Sequence, residues 1–272
     1  MAFPLPTLDP DYLRILRAAA MQPPMRPRVP LWAGEAVIGS VEPEFLSQIV
    51  LPPLLDGREQ LLKEERSGVV GWHLQGEVTA GLNRLAAVLH AMGLAGAWRD
   101  EQLAVPDAQG QVVGTVERAA VRPLGIATRA VHLVGQATDG RFWVQQRAFD
   151  KPNDPGLWDT LVGGMVAGTD TVATALVRET WEEAGLHVAD LQAVRHGGQL
   201  RTCRPARDGG GAGYVVEDMD WYRCTVPDGV TPVNQDGEVA CFALMDAHEL
   251  LQKMQNQEFT LEAALIQAAL LA

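Results

Sequence analysis

The chain is poor in cysteine, with Cys203, Cys224 and Cys241 as its whole complement among 272 residues. An odd number, widely spaced and with no C-x-x-C pair, argues against a disulfide framework and a zinc site, and leaves buried free thiols. Long hydrophobic runs are also missing. None approaches the roughly 18–20 residues needed to cross a bilayer. Residues 1–6, Met-Ala-Phe-Pro-Leu-Pro, have neither the basic start nor the apolar stretch of a signal peptide, so the expected compartment is cytoplasmic. Positive charge is scarce: 22 Lys and Arg face 34 Asp and Glu, a net charge of −12, and both halves of the chain are acidic. With no basic patch to neutralise phosphates, nucleic acid is disfavoured as a partner, and no membrane partner is expected. There is no internal repeat and no low-complexity tract. The six histidines include no i, i+4 pair, and no G-x-S-x-G nucleophile motif occurs.

What is present is an ordinary folded composition, 47% hydrophobic and 21% charged, which excludes disorder and suffices for one large core or two small ones. Residues 9–20 read as a short helix capped by Asp9. Four prolines between residues 22 and 30 break it. Residues 31–41 read as a hairpin turning at Gly34-Glu35. Leu82, Leu85, Leu89 and Met92 predict an amphipathic helix over 79–92, with Thr79 as cap and Gly93 as stop. Alternation returns at 110–119. Residues 1–120 are thus expected to form a small α+β domain. From about 128 the pattern changes. Strands are expected at 130–136 and 142–147 around an Asp139-Gly140 turn, and again at 161–165. A helix follows at about 171–184, closed by Gly185. Strands at 213–226 and 239–244 and a helix at about 258–271 complete a second domain over 121–272. The fold class is α/β, a mixed-sheet sandwich preceded by a small α+β domain.

One segment carries chemistry. Glu179, Glu182 and Glu183 are three and four residues apart and share a helix face. Crowded carboxylates repel unless a cation sits among them, and hard oxygen ligands suit Mg²⁺ or Mn²⁺. Arg178 can orient a carboxylate through a bidentate pair. Gly163-Gly164 permits close backbone approach, and Gly185 a left-handed cap. A solvated acidic helix face is the plain alternative.

The spacing favours chemistry. Gly164, Arg178, Glu179, Glu182, Glu183, Gly185 and Leu186 stand in register with G-x5-E-x7-R-E-U-x-E-E-x-G-U, and the chain resembles the Nudix hydrolase family. Two positions depart from the pattern. Asp170 stands where the family has Glu, and could pair with the box arginine or cap the helix. Thr180 stands where an aliphatic residue is usual. The resemblance implies an α/β/α sandwich that hydrolyses a diphosphate linkage by metal-activated water attack on phosphorus. Carried over by position, Glu182 and Glu183 are the main metal ligands. Glu179 binds a second metal or activates water, and the Gly164 carbonyl also approaches metal. Arg178 and Glu238 complete the candidate catalytic set, Glu238 as an extra acid outside the box or as a solvated strand-edge residue.

The flanks resemble one branch, the Nudix region fused to fungal thiamine pyrophosphokinase and its stand-alone relatives. The matching stretches are 142–164, where Gln146, Ala148 and Trp158 depart from the branch pattern, Ala33-Gly34-Glu35-x-Val37-x-Gly39, Trp98-Arg99-Asp100-Glu101, Val116-Glu117-Arg118-Ala119 and Asp236-Gly237-Glu238-Val239. This implies a house-cleaning diphosphatase of thiamine diphosphate-like, oxidised substrates. Arg147 and Lys151 are candidates to hold the small-molecule diphosphate; Arg201 and Arg204, flanking a mobile-looking loop, are weaker ones. Trp32, Trp72 or Trp98 could stack on a base but suit core packing better; Trp181 reads as a core or interface residue, and His132 as a core histidine. Hydrolysis of ADP-ribose, dinucleotides or nucleoside triphosphates, or non-catalytic nucleotide binding, are the other readings. A homodimer is possible, as in many relatives.

Overall fold

The computed structural model describes residues 8–49 and 59–271; residues 1–6, read above for a signal peptide, lie outside them. In chain order the elements are α1 (Pro10–Ala20), β1 (Val29–Ala33), β2 (Ala36–Val41), β3 (Gln60–Arg66), β4 (Val69–Gln75), α2 (Val78–Ala91), β5 (Gln102–Pro106) and β6 (Val112–Glu117). There follow β7 (Thr128–Ala137), β8 (Phe142–Arg147), β9 (Trp158–Asp159), β10 (Val162–Met165), α3 (Val172–Ala184), β11 (Gln192–Ala206), β12 (Gly213–Val226), β13 (Val239–Met245), α4 (Ala247–Gln255) and α5 (Leu261–Leu271). No helix among the described residues is long and apolar enough to cross a membrane.

Local chemistry explains most boundaries. Asp9 caps α1, its carboxylate accepting the Asp11 N–H. The expected cap of α2 is corrected. Glu77, not Thr79, takes the cap position and accepts the N–H groups of Thr79 and Ala80, while the Thr79 hydroxyl accepts the Thr115 N–H at 3.1 Å. Helix α3 ends as expected at Gly185, in the left-handed region at φ 62°.

The first half builds a four-stranded sheet, order β2-β1-β4-β3, and a separate β5-β6 ribbon. Their core draws on Leu31, Leu82, Leu89, Val116 and Leu124, and from the rest of the chain takes in buried Met165 and Ala212. The second half builds a sheet of order β11-β12-β7-β8-β13, with β10 added to β7 and β9 to β8. Strand β7 sorts its side chains by the period of two: Ala130 and Val134 enter one core, Val131 and Leu133 the other. Helices α1, α4 and α5 cover the first face and α3 the second, giving the α/β/α sandwich.

Two features place the site. Strand β8 pairs with β7 only at Gly135–Trp143 and Gln136–Phe142, and β10 takes up β7 from Ala130 to Leu133. Gly163 and Gly164 therefore lie beside β7, opposite His132 and Val131. The loop before α3 is in turn tied to the first half: Gly168 donates its N–H to the Gln102 carbonyl at 2.7 Å, and Leu103 bridges to Ala167.

Candidate active site

The buried face of α3 runs Ala175, Leu176, Glu179, Thr180, Glu183 and Ala184. Two of the three box carboxylates thus point inward among apolar residues, and Glu182 sits at the margin with a half-exposed side chain. Residue 164 has to be glycine here, because a β-carbon would overlap the Glu179 carboxyl group. Thr180, the atypical box residue, turns its hydroxyl to the Leu176 carbonyl at 2.6 Å and so fills an apolar position without an unpaired polar atom.

Arg178 organises the cluster. Its Nη1 donates to Glu179 and to Glu182, each at 2.9 Å, its Nε to Asp170 at 2.9 Å, and its Nη2 to the Met165 carbonyl at 3.2 Å. Burial opposes its charge, but Glu179, Asp170 and Glu182 outweigh burial and raise its pKa. Of the two readings of Asp170, the structure supports the pair with Arg178. Thr171 caps α3 instead, in a reciprocal pair with Thr174. The shorter Asp side chain still reaches, because residue 170 lies one step outside the helix and its other oxygen is held by the Thr174 hydroxyl at 3.0 Å.

Glu183 is the deepest of the three, and its Oε2 accepts only neutral donors, the Gly163 N–H and Gln145 Nε2, each at 2.8 Å. Burial, then the charge of Glu179, pushes its pKa up to about 8. Burial likewise pushes Glu179 up to about 7, against the pull of Arg178. Among the described residues no three acidic, His or Cys groups are arranged to hold a metal ion. Arg178 draws Glu179 and Glu182 one way, and Gly163 draws Glu183 another. The donor set nevertheless fits a hard cation. Two buried carboxylates are held at raised pKa by burial, beside a glycine backbone, and a divalent ion relieves both.

Glu179 and Glu183 open onto a cleft of about 840 Å³ that also takes in Gly164, Arg147, Lys151, Arg204 and Glu238. Lys151 pairs with Glu238 through a short contact, and this pair outweighs burial to hold the Glu238 carboxyl below its usual range. Arg147 lies 3.4 Å from Asp159 and donates to the Asn153 carbonyl at 3.1 Å; its buried Nε has no partner among the described residues. Arg204 pairs with Glu262 at 2.9 Å. Arg201, by contrast, lies 3.6 Å from Asp218 and is not among the cleft's lining residues. Both arginines stand on strand β11, not beside a loop.

His132 is buried as expected, 3.0 Å from the Thr160 hydroxyl, and its ring lines the cleft floor. Trp32 and Trp72 are buried, Trp98 packs on His90, and none of the three lines the cleft. Trp181 lies on the outer face of α3, half-exposed and stacked on His187 at 4.6 Å, not in the core. The sequence reading missed Arg99, Arg118 and Arg122, which reach the cleft from the first half of the chain, and Glu217 and Glu262 from β12 and α5. Two of those arginines sit in stretches already singled out for their resemblance, Trp98-Arg99-Asp100-Glu101 and Val116-Glu117-Arg118-Ala119. That was the available signal.

A family model described as the NUDIX domain matches residues 126–265. The chain belongs to the Nudix family. It is similar to the uncharacterized protein YJR142W of Saccharomyces cerevisiae, 25% identical over 185 residues, covering 62% of this chain and 53% of the yeast protein. It is similar to Nudix hydrolase 24, chloroplastic, of Arabidopsis thaliana, 27% identical over 193 residues, covering 67% of this chain and 50% of that protein. It is also similar to an isopentenyl-diphosphate Delta-isomerase of Streptomyces avermitilis, 28% identical over 160 residues, covering 58% of this chain and 77% of that one. The chain spans about half the length of the yeast and plant relatives. The plant alignment takes in more of this Nudix chain than lies after residue 125, so the likeness extends into the first half.

Proposed function

We propose that the protein is a pyrophosphohydrolase that cleaves a small-molecule diphosphate with the help of a divalent cation. The observation that carries this reading is the pair of buried carboxylates, Glu179 and Glu183, set against the Gly163-Gly164 backbone with Arg178 clamped across Glu179 and Glu182. Glu179, Glu182, Glu183 and the Gly164 carbonyl would hold the ion. Mg²⁺ or Mn²⁺ there supplies positive charge to the diphosphate oxygens and lowers the pKa of water.

The chain's own residues do the positioning. Arg178 fixes the carboxylates it bonds, and Asp170 fixes Arg178. Lys151 and Arg147 present cationic groups to the diphosphate from the β8–β9 loop and from β8. Glu238, kept ionised by Lys151, can accept a proton at its carboxylate. Glu182 must leave Arg178 to join the other two carboxylates, a change of rotamer on an exposed helix margin.

The substrate we place among thiamine diphosphate-like molecules, oxidised forms included. The flanking stretches support this, as does the extension of similarity into the first half. So does the cleft wall away from the box, where burial and then the charge of neighbouring Glu262 push the Glu217 carboxyl up. Such a wall suits an organic group that is cationic or rich in N–H donors. We take residues 1–120 as the accessory unit and 121–272 as the catalytic unit, in keeping with a first core drawn almost wholly from residues before 127.

The test is product analysis with Mg²⁺ on thiamine diphosphate, its oxidised analogues, ADP-ribose, NADH, nucleoside triphosphates and isopentenyl diphosphate. Preferred release of phosphate from the oxidised thiamine compounds supports the full reading. Preference for an adenine compound keeps the hydrolysis and removes the thiamine assignment. Rearrangement of isopentenyl diphosphate without phosphate release replaces hydrolysis with the isomerase reading that the Streptomyces relative's name favours.

A further inference from the structure

The first half of the chain reaches the cleft through three arginines. Arg99 lies in the loop before β5, Arg118 begins the short turn after β6, and Arg122 follows one residue after that turn's C-cap, Val121. They line the cleft together with Glu179 and Glu183. They also wall an adjoining recess of about 420 Å³, completed by Pro152, Asn153 and Met165, in which Asp208 is the one acidic lining residue. The catalytic carboxylates do not line that recess. Its charge is therefore of the opposite sign to the box.

The three guanidinium groups are held but not used up. Arg118 donates to Glu101 at 2.7 Å. Arg122 stands 3.6 Å from Asp208 and Arg99 3.8 Å from Glu238, both beyond hydrogen-bond length, and among the described residues neither side chain makes a hydrogen bond. Two forks of N–H donors, each about one-third exposed, thus face the cavity with their bonding capacity free.

Their loops are fixed from below by a buried acid. Glu117, 1% exposed, accepts the N–H of Arg99 at 3.0 Å and of Ala119 at 3.3 Å through Oε1, and of Glu101 at 3.1 Å through Oε2. Its own N–H is donated to Asn83 Oδ1 at 3.0 Å. One carboxylate so ties together both stretches that carry Arg99 and Arg118. A preorganised cationic wall is what an anionic group binds to most tightly, since little ordering remains to be done on binding.

We propose that Arg99, Arg118 and Arg122 form a terminal-phosphate subsite beside the carboxylate cluster, and that the first half of the chain thereby selects diphosphates esterified at one end only. The proposal rests on the diphosphatase reading above and adds the residues that choose the substrate class. A phosphate esterified once carries roughly −1.5 to −2 charges at pH 7, whereas each phosphate inside a doubly esterified diphosphate carries one. Arginine forks match phosphate oxygens two at a time. The surplus of positive charge in the recess is therefore best met by a phosphate end group, and a second organic group there would leave the guanidinium donors unpaired.

The test compares ADP with ADP-ribose, which share the adenosine group and differ in the end of the diphosphate. Turnover of both is measured for the full chain, for Arg99→Ala, Arg122→Ala and Arg122→Lys, alongside calorimetric binding of α,β-methylene-ADP. Each alanine variant is expected to raise KM for ADP about tenfold or more, with a matching loss of analogue affinity, a smaller effect on ADP-ribose and little change in kcat. Arg122→Lys should recover part of the loss. Equal losses on ADP and ADP-ribose, or unchanged analogue affinity, overturn the subsite while leaving hydrolysis standing. If the wild-type chain hydrolyses neither compound but binds the analogue about tenfold more tightly than Arg122→Ala does, the adenine diphosphates are excluded as substrates and the subsite stands; if it binds the analogue no more tightly than Arg122→Ala does, the subsite is overturned.

Discussion

Glu179 lays its carboxyl group against Gly164 so closely that a β-carbon at residue 164 would overlap it. Helix α3 and strand β10 are thereby locked at a spacing that only glycine allows. Gly164→Ala must move the carboxylate, the strand or both. A displacement of about 1 Å at a catalytic group can cost about 100-fold in rate. We expect a loss of at least that order in kcat for Gly164→Ala, with a lower melting temperature. Wild-type kcat in this variant would mean that Glu179 is not where the reaction needs it.

Asp170 is the box position that departs from the family pattern, yet it bonds Arg178 Nε at 2.9 Å. Hydrogen bonds to charged groups are worth about 1.5–3 kcal/mol. Asp170→Asn should therefore lower kcat about tenfold through looser placement of Arg178, with KM little changed. Asp170→Glu should retain most of the activity. Steady-state kinetics of the two variants decide this, and an unaffected Asp170→Asn would remove the residue from the positioning network.

The raised carboxylates predict an unusual pH dependence for the metal-free protein. Glu179 and Glu183 keep their protons up to about pH 7 and about pH 8 in the folded chain, and Glu217 is also raised by burial. Unfolded, each would lose its proton near pH 4.3. Between these limits the folded state binds more protons, so stability falls as pH rises. Glu238 and Glu262 are shifted the other way, and their contribution is lost only as pH falls below the ordinary carboxylate range. Without metal, the melting temperature should drop by roughly 5 °C or more between pH 5.5 and 8. Added Mg²⁺ should restore it most at the upper end, where the carboxylates are ready to give up their protons. A flat profile would contradict the burial of these groups.

The box was legible in the sequence because its residues are spaced along one helix and one adjoining strand. Helical periodicity alone puts Glu179 and Glu183 on the same face as Leu176. The cap of α2 was misplaced by two residues, and that of α3 was left open between the two roles of Asp170. Asp and Thr both cap well, so only the backbone turn decides between Asp170 and Thr171, while Glu77 is not a preferred cap residue and gave no signal against Thr79. Strand β11 escaped the pattern altogether. It is a sheet edge, and Gln192, Arg195, His196 and Gln199 leave it too polar for a period of two to show. The hairpin of β3 and β4 was missed for a similar reason, with Lys63, Glu64, Glu65 and Arg66 crowding its first strand. Arg99, Arg118 and Arg122 could not be assigned to the cleft from sequence, because tertiary docking of the first half brings them there. Glu117 was legible only as part of a resemblance, and its three backbone bonds are a property of the folded loops.

The central claim is that the carboxylates of α3 bind a divalent ion on which hydrolysis depends, and Glu183→Gln tests it most directly. Gln keeps the side chain's size and can still accept the Gly163 N–H, so the fold should persist. Mn²⁺ binding by calorimetry and Mg²⁺-dependent phosphate release are measured on the same preparation. The account predicts a folded variant, with melting temperature equal to or above that of the metal-free wild type, weakened Mn²⁺ binding and phosphate release lost by a factor of about 1,000 or more. Full Mn²⁺ affinity and full turnover in Glu183→Gln would contradict it.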